Sequence, residues 1–386
     1  MDWLKWLIGL VGHVGLWCIV FNRIHATAWP RPTRKISEKV ILLTVAIPIA
    51  LIVSLMLLWK TADFSTFTGT TLSLVYLNSC LILGLYLFFA WVYRKLTTKL
   101  PAAVVETTTE WVNLKSEIKS PLLHGTLATA LSYVPFNECL KLTRQRMTFA
   151  LAVPQSLDGL KICQLSDLHY TGQIGIEYFQ RIMDEANQFE PDLIVITGDI
   201  VDEIHCLEWL EPTLGRLKSK LGSYYVLGNH DLRIKNEANL RDRLERVGLI
   251  QASGQWLETS HQGSRIQITG NELPWYRNVN NLPEAPEGNP DLRILLSHSP
   301  DQIQWAVKRQ FDLMLAGHTH GGQIALPVVG AVVAPSKYGV KYAAGTFQVE
   351  NTLMHVSRGI SGDEPIRVCS PPELGLFTIR ATKQSD

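Results

Sequence analysis

Five short segments between residues 167 and 320 of this chain carry side chains of types that bind divalent cations. They are Asp167-Leu168-His169, Gly198-Asp199-Ile200-Val201-Asp202, Gly228-Asn229-His230-Asp231, His298 within Leu296-Ser297-His298, and Gly317-His318-Thr319-His320. Together they offer carboxylate oxygen, amide oxygen and imidazole nitrogen but no thiolate, a donor set suited to two divalent metal ions. Asp167 and His169 lie two apart at the end of an extended run, so their side chains leave on one face; His318 and His320 repeat the arrangement. Gly198, Gly228 and Gly317 each precede one of these residues, where a chain leaving a strand must turn sharply without a Cβ. Each segment alone would be an ordinary polar turn. Their joint occurrence is the signal.

The elements that must position these residues are short apolar runs ending just before them. Residues 160–165, 193–197, 224–227, 292–296 and 313–316 read as buried strands. Between them, 174–188 shows helical periodicity, with Phe179, Ile182, Met183 and Ala186 on one face; 207–217 and 236–247 are further helices. From about residue 146 this alternation implies parallel βαβ units. The remainder reads as short strands with a helix near 300–308.

In type and order the motifs resemble those of the calcineurin-like metallophosphoesterases. His320-Gly321-Gly322-Gln323, Leu326-Pro327, Tyr338-Gly339, Ser357-Arg358-Gly359 and Pro371-Pro372-Glu373 extend the likeness toward the membrane-associated bacterial branch, over residues 146–380. The resemblance implies an α/β fold: a four-layer αββα sandwich of two mixed sheets, preceded here by N-terminal transmembrane helices. It implies that one metal takes Asp167, His169, Asp199 and His320. The second takes Asp199, Asn229, His298 and His318, so that Asp199 bridges. Two divalent ions against two aspartates leave a positive centre that attracts an anionic phosphate, and a hydroxide bridging the metals would attack in line. Mn, Fe, Zn and Co all suit these ligands. His230, outside the ligand set, is the candidate acid for the leaving oxygen, with Asp202 or Asp231 orienting its ring. Arg358 could meet a substrate phosphate or pair with a carboxylate, and Trp275-Tyr276-Arg277 could line a pocket or pack a loop.

Composition changes near residue 95. Residues 40–59 and 67–93 contain no charged side chain and are long enough to cross a hydrocarbon core of about 30 Å; 6–21 is shorter and contains His13. Trp3, Trp6, Trp17, Trp59 and Trp91 sit near the ends of these runs, as interfacial aromatics do. Arg23, Arg31, Arg34, Lys35 and Lys39 follow the first run, Lys60 and Asp63 the second, and Arg94, Lys95 and Lys99 the third. The basic loops place residues beyond 95 on the cytoplasmic side of a bacterial-type inner membrane, with the chain multi-pass. The expected organisation is a transmembrane region at 1–95, a linker or juxtamembrane segment at 96–145, and the phosphoesterase domain at 146–386. A formal net charge of +1 gives no electrostatic basis for nucleic-acid binding, and the six cysteines, without a CxxC pair, read as reduced, packed thiols.

Three functions fit. The leading one is a membrane-anchored phosphodiester or pyrophosphate hydrolase acting on a lipid-linked substrate, as the resemblance to UDP-2,3-diacylglucosamine hydrolases implies. The soluble version of that hydrolase has arginine where this chain has His230, which leaves the substrate open. The second is a hydrolase of soluble phosphomonoesters or cyclic nucleotides; the third, a non-catalytic membrane scaffold, is disfavoured by the complete ligand set.

Overall fold

A computed structural model describes residues 2–57, 71–118, 120–277, 280, 282, 284 and 288–382. It divides the chain into two compact units, Met1–Lys99 and Leu100–Asp386.

In the first unit three helices, Asp2–His25, Arg31–Leu57 and Thr71–Thr97, carry the apolar runs. Leu7–His25 and Val75–Thr97, of 19 and 23 residues, are long and apolar enough to span a membrane. The short first run is therefore one of the two. The run at 40–59 enters the helix Arg31–Leu57, but its end, with Trp59, Lys60 and Asp63, lies outside the described residues. Glycines set how closely Asp2–His25 and Thr71–Thr97 pack. A Cβ on Gly12 would strike the Cys80 carbonyl, and one on Gly84 the Ile8 carbonyl. His13 is buried in this contact and bonds the Tyr76 hydroxyl through Nδ1.

In the second unit one sheet contains β1 (Val104–Asn113), β2 (Lys141–Leu151), β3 (Lys161–Leu165), β4 (Leu193–Thr197), β5 (Ser223–Val226) and β6 (Leu249–Gln251), with β15 (Glu373–Ala381) inserted between β2 and β3. The other contains β7 (Leu257–His261), β8 (Ser264–Asn271), β9 (Leu292–Ser297), β10 (Leu313–Ala316), β13 (Gly345–Val349) and β14 (Thr352–Val356), in the order β13-β14-β10-β9-β8-β7. β11 (Ala325–Leu326) and β12 (Gly330–Ala331) form a separate hairpin. β3 to β6 are parallel, as are β8, β9, β10 and β14.

Alternation along the buried strands builds three apolar layers. In β4, Leu193 and Val195 join Ile294, Leu296 and Leu315 between the sheets. Ile194 and Ile196 face the other way, onto Phe179, Ile182 and Met183 of the helix Ile176–Gln188. Leu295, Met314 and Met354 cover the outer face of the second sheet with Ile303, Ala306 and Phe311. Helix, sheet, sheet and helix make the four-layer αββα sandwich.

Two expectations change. The stretch at 96–145, read as a linker or juxtamembrane segment, contains β1, paired antiparallel with β2. Its Val-Val-Glu-Thr-Thr-Thr-Glu sequence is β-branched, but it lies at a sheet edge and is largely exposed, so the polarity that suggested a linker reflects its position. The helix read at 207–217 is broken into 3₁₀ turns around a single α turn, Leu210–Thr213. Pro212 has no N–H to return to residue 208. Of the cysteines, Cys139, Cys163 and Cys206 are buried, and burial raises their thiols, Cys139 to about 11 and Cys206 to about 12. Cys369 is exposed rather than packed.

Candidate metal centre

Parallel strands end on a common edge, and the five segments extend β3, β4, β5, β9 and β10 there. Asp167, His169, Asp199, His318 and His320 all have positive φ, between 45° and 72°. Non-glycine residues rarely adopt this left-handed conformation, and strain of this kind gathers at functional sites. The glycines act in two ways. Gly198 makes its turn at φ +91°, whereas Gly228 and Gly317 are required for close approach. A Cβ on Gly228 would strike Asp199 Oδ1; one on Gly317 would strike Ser166 Oγ and come within 2.5 Å of Asp167 Oδ2.

Three groups of donor atoms converge among the described residues: Asp167, His169, Asp199 and His320; Asp199, His298 and His318, which shares Asp199 with the first; and His169, Asp202 and His230. His169 Nε2 lies 3.6 Å and His298 Nε2 3.3 Å from Asp199 Oδ2. His320 Nε2 lies 3.6 Å from Asp167 Oδ1 and 3.2 Å from His169 Nε2. Asn229 Oδ1 and His318 Nδ1 each lie 3.1 Å from His298 Nε2, bringing the amide into the second group. All seven residues predicted as metal ligands are thus gathered.

The surroundings orient these atoms. His169 Nδ1 lies 3.1 Å from Asp202 Oδ1 and His298 Nδ1 2.8 Å from the Thr197 carbonyl, both acceptors, so each ring turns its Nε2 lone pair into the centre. His320 differs. Arg367 Nη2 lies 2.9 Å from its Nδ1, and arginine only donates, so Nδ1 is held as an acceptor, the reverse of the arrangement at His169 and His298. Charge agrees with a cation site. Burial opposes protonation of His169 and His298, but Asp202, with Asp199 and Asp167, raises His169 to about 10, and Asp199, with Asp167, raises His298 to about 9. The pocket holds enough negative charge to retain protons on buried imidazoles, and divalent ions would replace them. The donor set fits a pair of such ions.

The two candidate orienting aspartates separate clearly. Asp202 Oδ2 meets His230 Nδ1 at 2.8 Å and accepts from Arg233 Nη1 at 2.8 Å. Asp231 does not face His230. Its Oδ1 accepts from the backbone N–H groups of Ile200 and Val201, and its Oδ2 from that of Gly228, tying the loops after β4 and β5 together. Burial, with Asp199 beside it, raises the Asp231 carboxyl to about 7. Arg358 is committed to Glu373 at 2.8 Å and to the Thr143 hydroxyl, and Trp275 packs edge-on against His298 and His318.

Motif reading missed Arg367 and the Arg233–Asp363 pair. Asp363 receives both Arg233 Nη atoms at 2.8 Å, and Arg233 links it to Asp202. Arg367 is almost wholly buried and donates to the carbonyls of His320, Arg358 and Ser361. No local pattern marks it, because it joins its own loop after β14 to the loop after β10 that carries His320. Arg367→Met leaves those carbonyls without a donor and frees the His320 ring. The expected result is a loss of about 3 kcal/mol of stability, read by denaturant unfolding, with weaker metal retention.

Fold and site together define a metal-dependent phosphoesterase. The family model described as calcineurin-like phosphoesterase matches residues 160–322. An uncharacterized metallophosphoesterase of Bacillus subtilis, YkuE, is 31% identical over 247 residues, covering 60% of this chain and 82% of that protein. The chain belongs to the calcineurin-like phosphoesterase family and is a hydrolase. A zebrafish (Danio rerio) transmembrane protein with a metallophosphoesterase domain is 28% identical over 59% of this chain, which spans 55% of that relative. The UDP-2,3-diacylglucosamine pyrophosphatase LpxG of Chlamydia trachomatis is 25% identical over 57% of this chain and 84% of its own length. The transmembrane relative and the two apolar helices support membrane association.

Proposed function

We propose that this protein is a membrane-anchored hydrolase that uses two divalent ions to cleave a phosphodiester or pyrophosphate bond in a lipid-linked substrate at the cytoplasmic face. The observation that carries this reading is the pair of donor groups sharing Asp199, in a chain that also has two helices able to span a membrane. Asp167, His169, Asp199 and His320 would hold one ion, and Asp199, Asn229, His298 and His318 the other. When bound, such ions acidify water and polarise phosphoryl oxygens. His230 supplies the proton. Asp202 accepts at Nδ1, so Nε2 is the ring nitrogen left to give a proton to the departing oxygen. Arg233, shared between Asp202 and Asp363, holds the Asp202 carboxylate in place.

A lipid-linked substrate is favoured because a tethered site meets membrane substrates at high effective concentration, and because LpxG is named for such a substrate. The test is hydrolysis by detergent-solubilised protein with Mn²⁺, given UDP-2,3-diacylglucosamine and bis-p-nitrophenyl phosphate in parallel. Turnover of the lipid nucleotide supports the reading. Cleavage of the small diester alone would shift it to soluble phosphoesters. Sidedness has its own test at the exposed Cys369. A membrane-impermeant maleimide is expected to label it in inverted vesicles but not in spheroplasts, with the label lost in Cys369→Ser; the opposite pattern would reverse the orientation.

A further inference from the structure

The three most exposed large apolar side chains among the described residues of the catalytic unit, Phe136, Tyr133 and Val328, lie on two protrusions flanking one segment, residues 365–368. The first is the short helix Thr126–Ser132 and the turn after it, where Leu127, Tyr133 and Phe136 face outward, Tyr133 82% and Phe136 84% exposed. The second is the β11–β12 hairpin, where Ile324, Leu326 and Val328 face outward, Val328 77% exposed. Asn137 donates to the Pro365 carbonyl and Glu138 N to that of Arg367, while Ala325 N donates to the carbonyl of Val368. The same loop reaches the metal centre through Arg367 at His320 and Asp363 at Arg233. Both protrusions therefore stand beside the mouth of the site.

Their tips have conformations that water does not favour. Phe136 has φ +61° and Val328 φ +67°, the left-handed region where Gly or Asn is usual and where a bulky or β-branched residue is strained. The hairpin closes through Pro327-Val328-Val329-Gly330. A turn facing water ordinarily takes Asn, Asp or Gly at its centre. Apolar side chains kept in strained, nearly fully exposed positions mark an interaction surface.

The chain itself indicates what covers them. Residues 98–103 alone join the helix ending at Thr97 to β1 beginning at Val104. At ~3.3–3.6 Å per residue this tether reaches about 20 Å. It enters β1 at the end of the sheet away from the metal centre, so a membrane-anchored catalytic unit that brings both protrusions to the bilayer lies with the β1 edge along it. Separate projecting tips suit a fluid interface that closes around each, whereas a protein partner would need matching pockets. We propose that Phe136 and Val328 and their neighbours insert into the interfacial layer of the bilayer, so that the mouth of the metal centre opens onto lipid. This rests on the membrane-bound reading above and deepens it, naming the surface from which substrate enters.

The test uses the full chain in phosphatidylethanolamine–phosphatidylglycerol nanodiscs. In a Cys369→Ser background, single cysteines replace Phe136, Val328 and, as control, Gln262. Gln262 lies in the β7–β8 turn, at the end of the second sheet away from His298. With a fluorophore on each, nitroxide-headgroup lipid is expected to quench positions 136 and 328 several-fold more than 262, and aqueous iodide the reverse. Iodide quenching at all three without lipid quenching would overturn the proposal and leave a protein partner as the reading. The Phe136→Asp, Val328→Asp double variant is expected to lower turnover of bilayer-held UDP-2,3-diacylglucosamine about tenfold while hydrolysing bis-p-nitrophenyl phosphate normally. Unchanged turnover of the lipid by that variant would also overturn it. If the native chain ignores the lipid nucleotide but lipid quenching persists, the substrate reading fails and the insertion stands.

Discussion

Asp199→Ala is expected to abolish hydrolysis and to empty the metal centre. Asp199 is the one carboxylate common to the two donor groups proposed to hold metal, among the described residues. Its Oδ2 faces His169 and His298, and its Oδ1 accepts from the His230 backbone N–H at 2.7 Å. Removing it would take a proposed ligand from each ion at once and release the loop that carries Asn229 and His230. A fall in kcat/KM of at least ~10³-fold, about 4 kcal/mol in the barrier, is expected. Metal content, measured by inductively coupled plasma mass spectrometry, should fall from about two ions per chain to below one. Circular dichroism matching that of the native chain would show that the fold persists. Activity within tenfold of the native chain with metal retained would mean that the two groups do not act as one centre.

The second large effect is expected at His230. It lies outside both proposed ligand sets, and its ring is partly exposed while Nδ1 is held by Asp202. His230→Gln would therefore remove the proposed proton donor and leave the proposed metal ligands in place. For a substrate with a poor, alkoxide-like leaving group the rate is expected to fall ~10²–10³-fold, within the usual range for general acid catalysis. For a p-nitrophenolate leaving group, which departs without protonation, the loss should be far smaller. The diagnostic is the dependence on leaving group, with metal content unchanged. An equal loss for both leaving groups would assign His230 to binding or positioning. Asp202→Asn should reproduce part of this pattern and also disturb metal binding, because the same carboxylate orients His169.

The chemistry of the site was legible because its ligands belong to a small set of residue types, placed where short apolar runs end. β3, β4 and β10 are buried on both faces, so their sequences read as unbroken apolar stretches and their ends are sharp. Alternation of these strands with amphipathic helices such as Ile176–Gln188 read as parallel βαβ units, whereas the αββα layering came from the family resemblance and not from periodicity. By itself the sequence determined which side chains could bind metal, which strands would present them, and that the chain before residue 95 holds apolar runs long enough for a membrane, although the two helices that qualify include the short first run and not the run at 40–59. Those properties are carried by residue type and by spacing along the chain. Tertiary structure alone decided the rest. β1 is an edge strand whose polarity resembles a linker until its pairing with β2 is known. The choice between Asp202 and Asp231 depends on which way each carboxylate turns once the loops after β4 and β5 meet. Arg233 finds Asp363 130 positions away, and Arg367 reaches His320 across 47. A buried polar pair is stabilised by geometry between distant loops, and nothing in the local pattern of either partner announces the other.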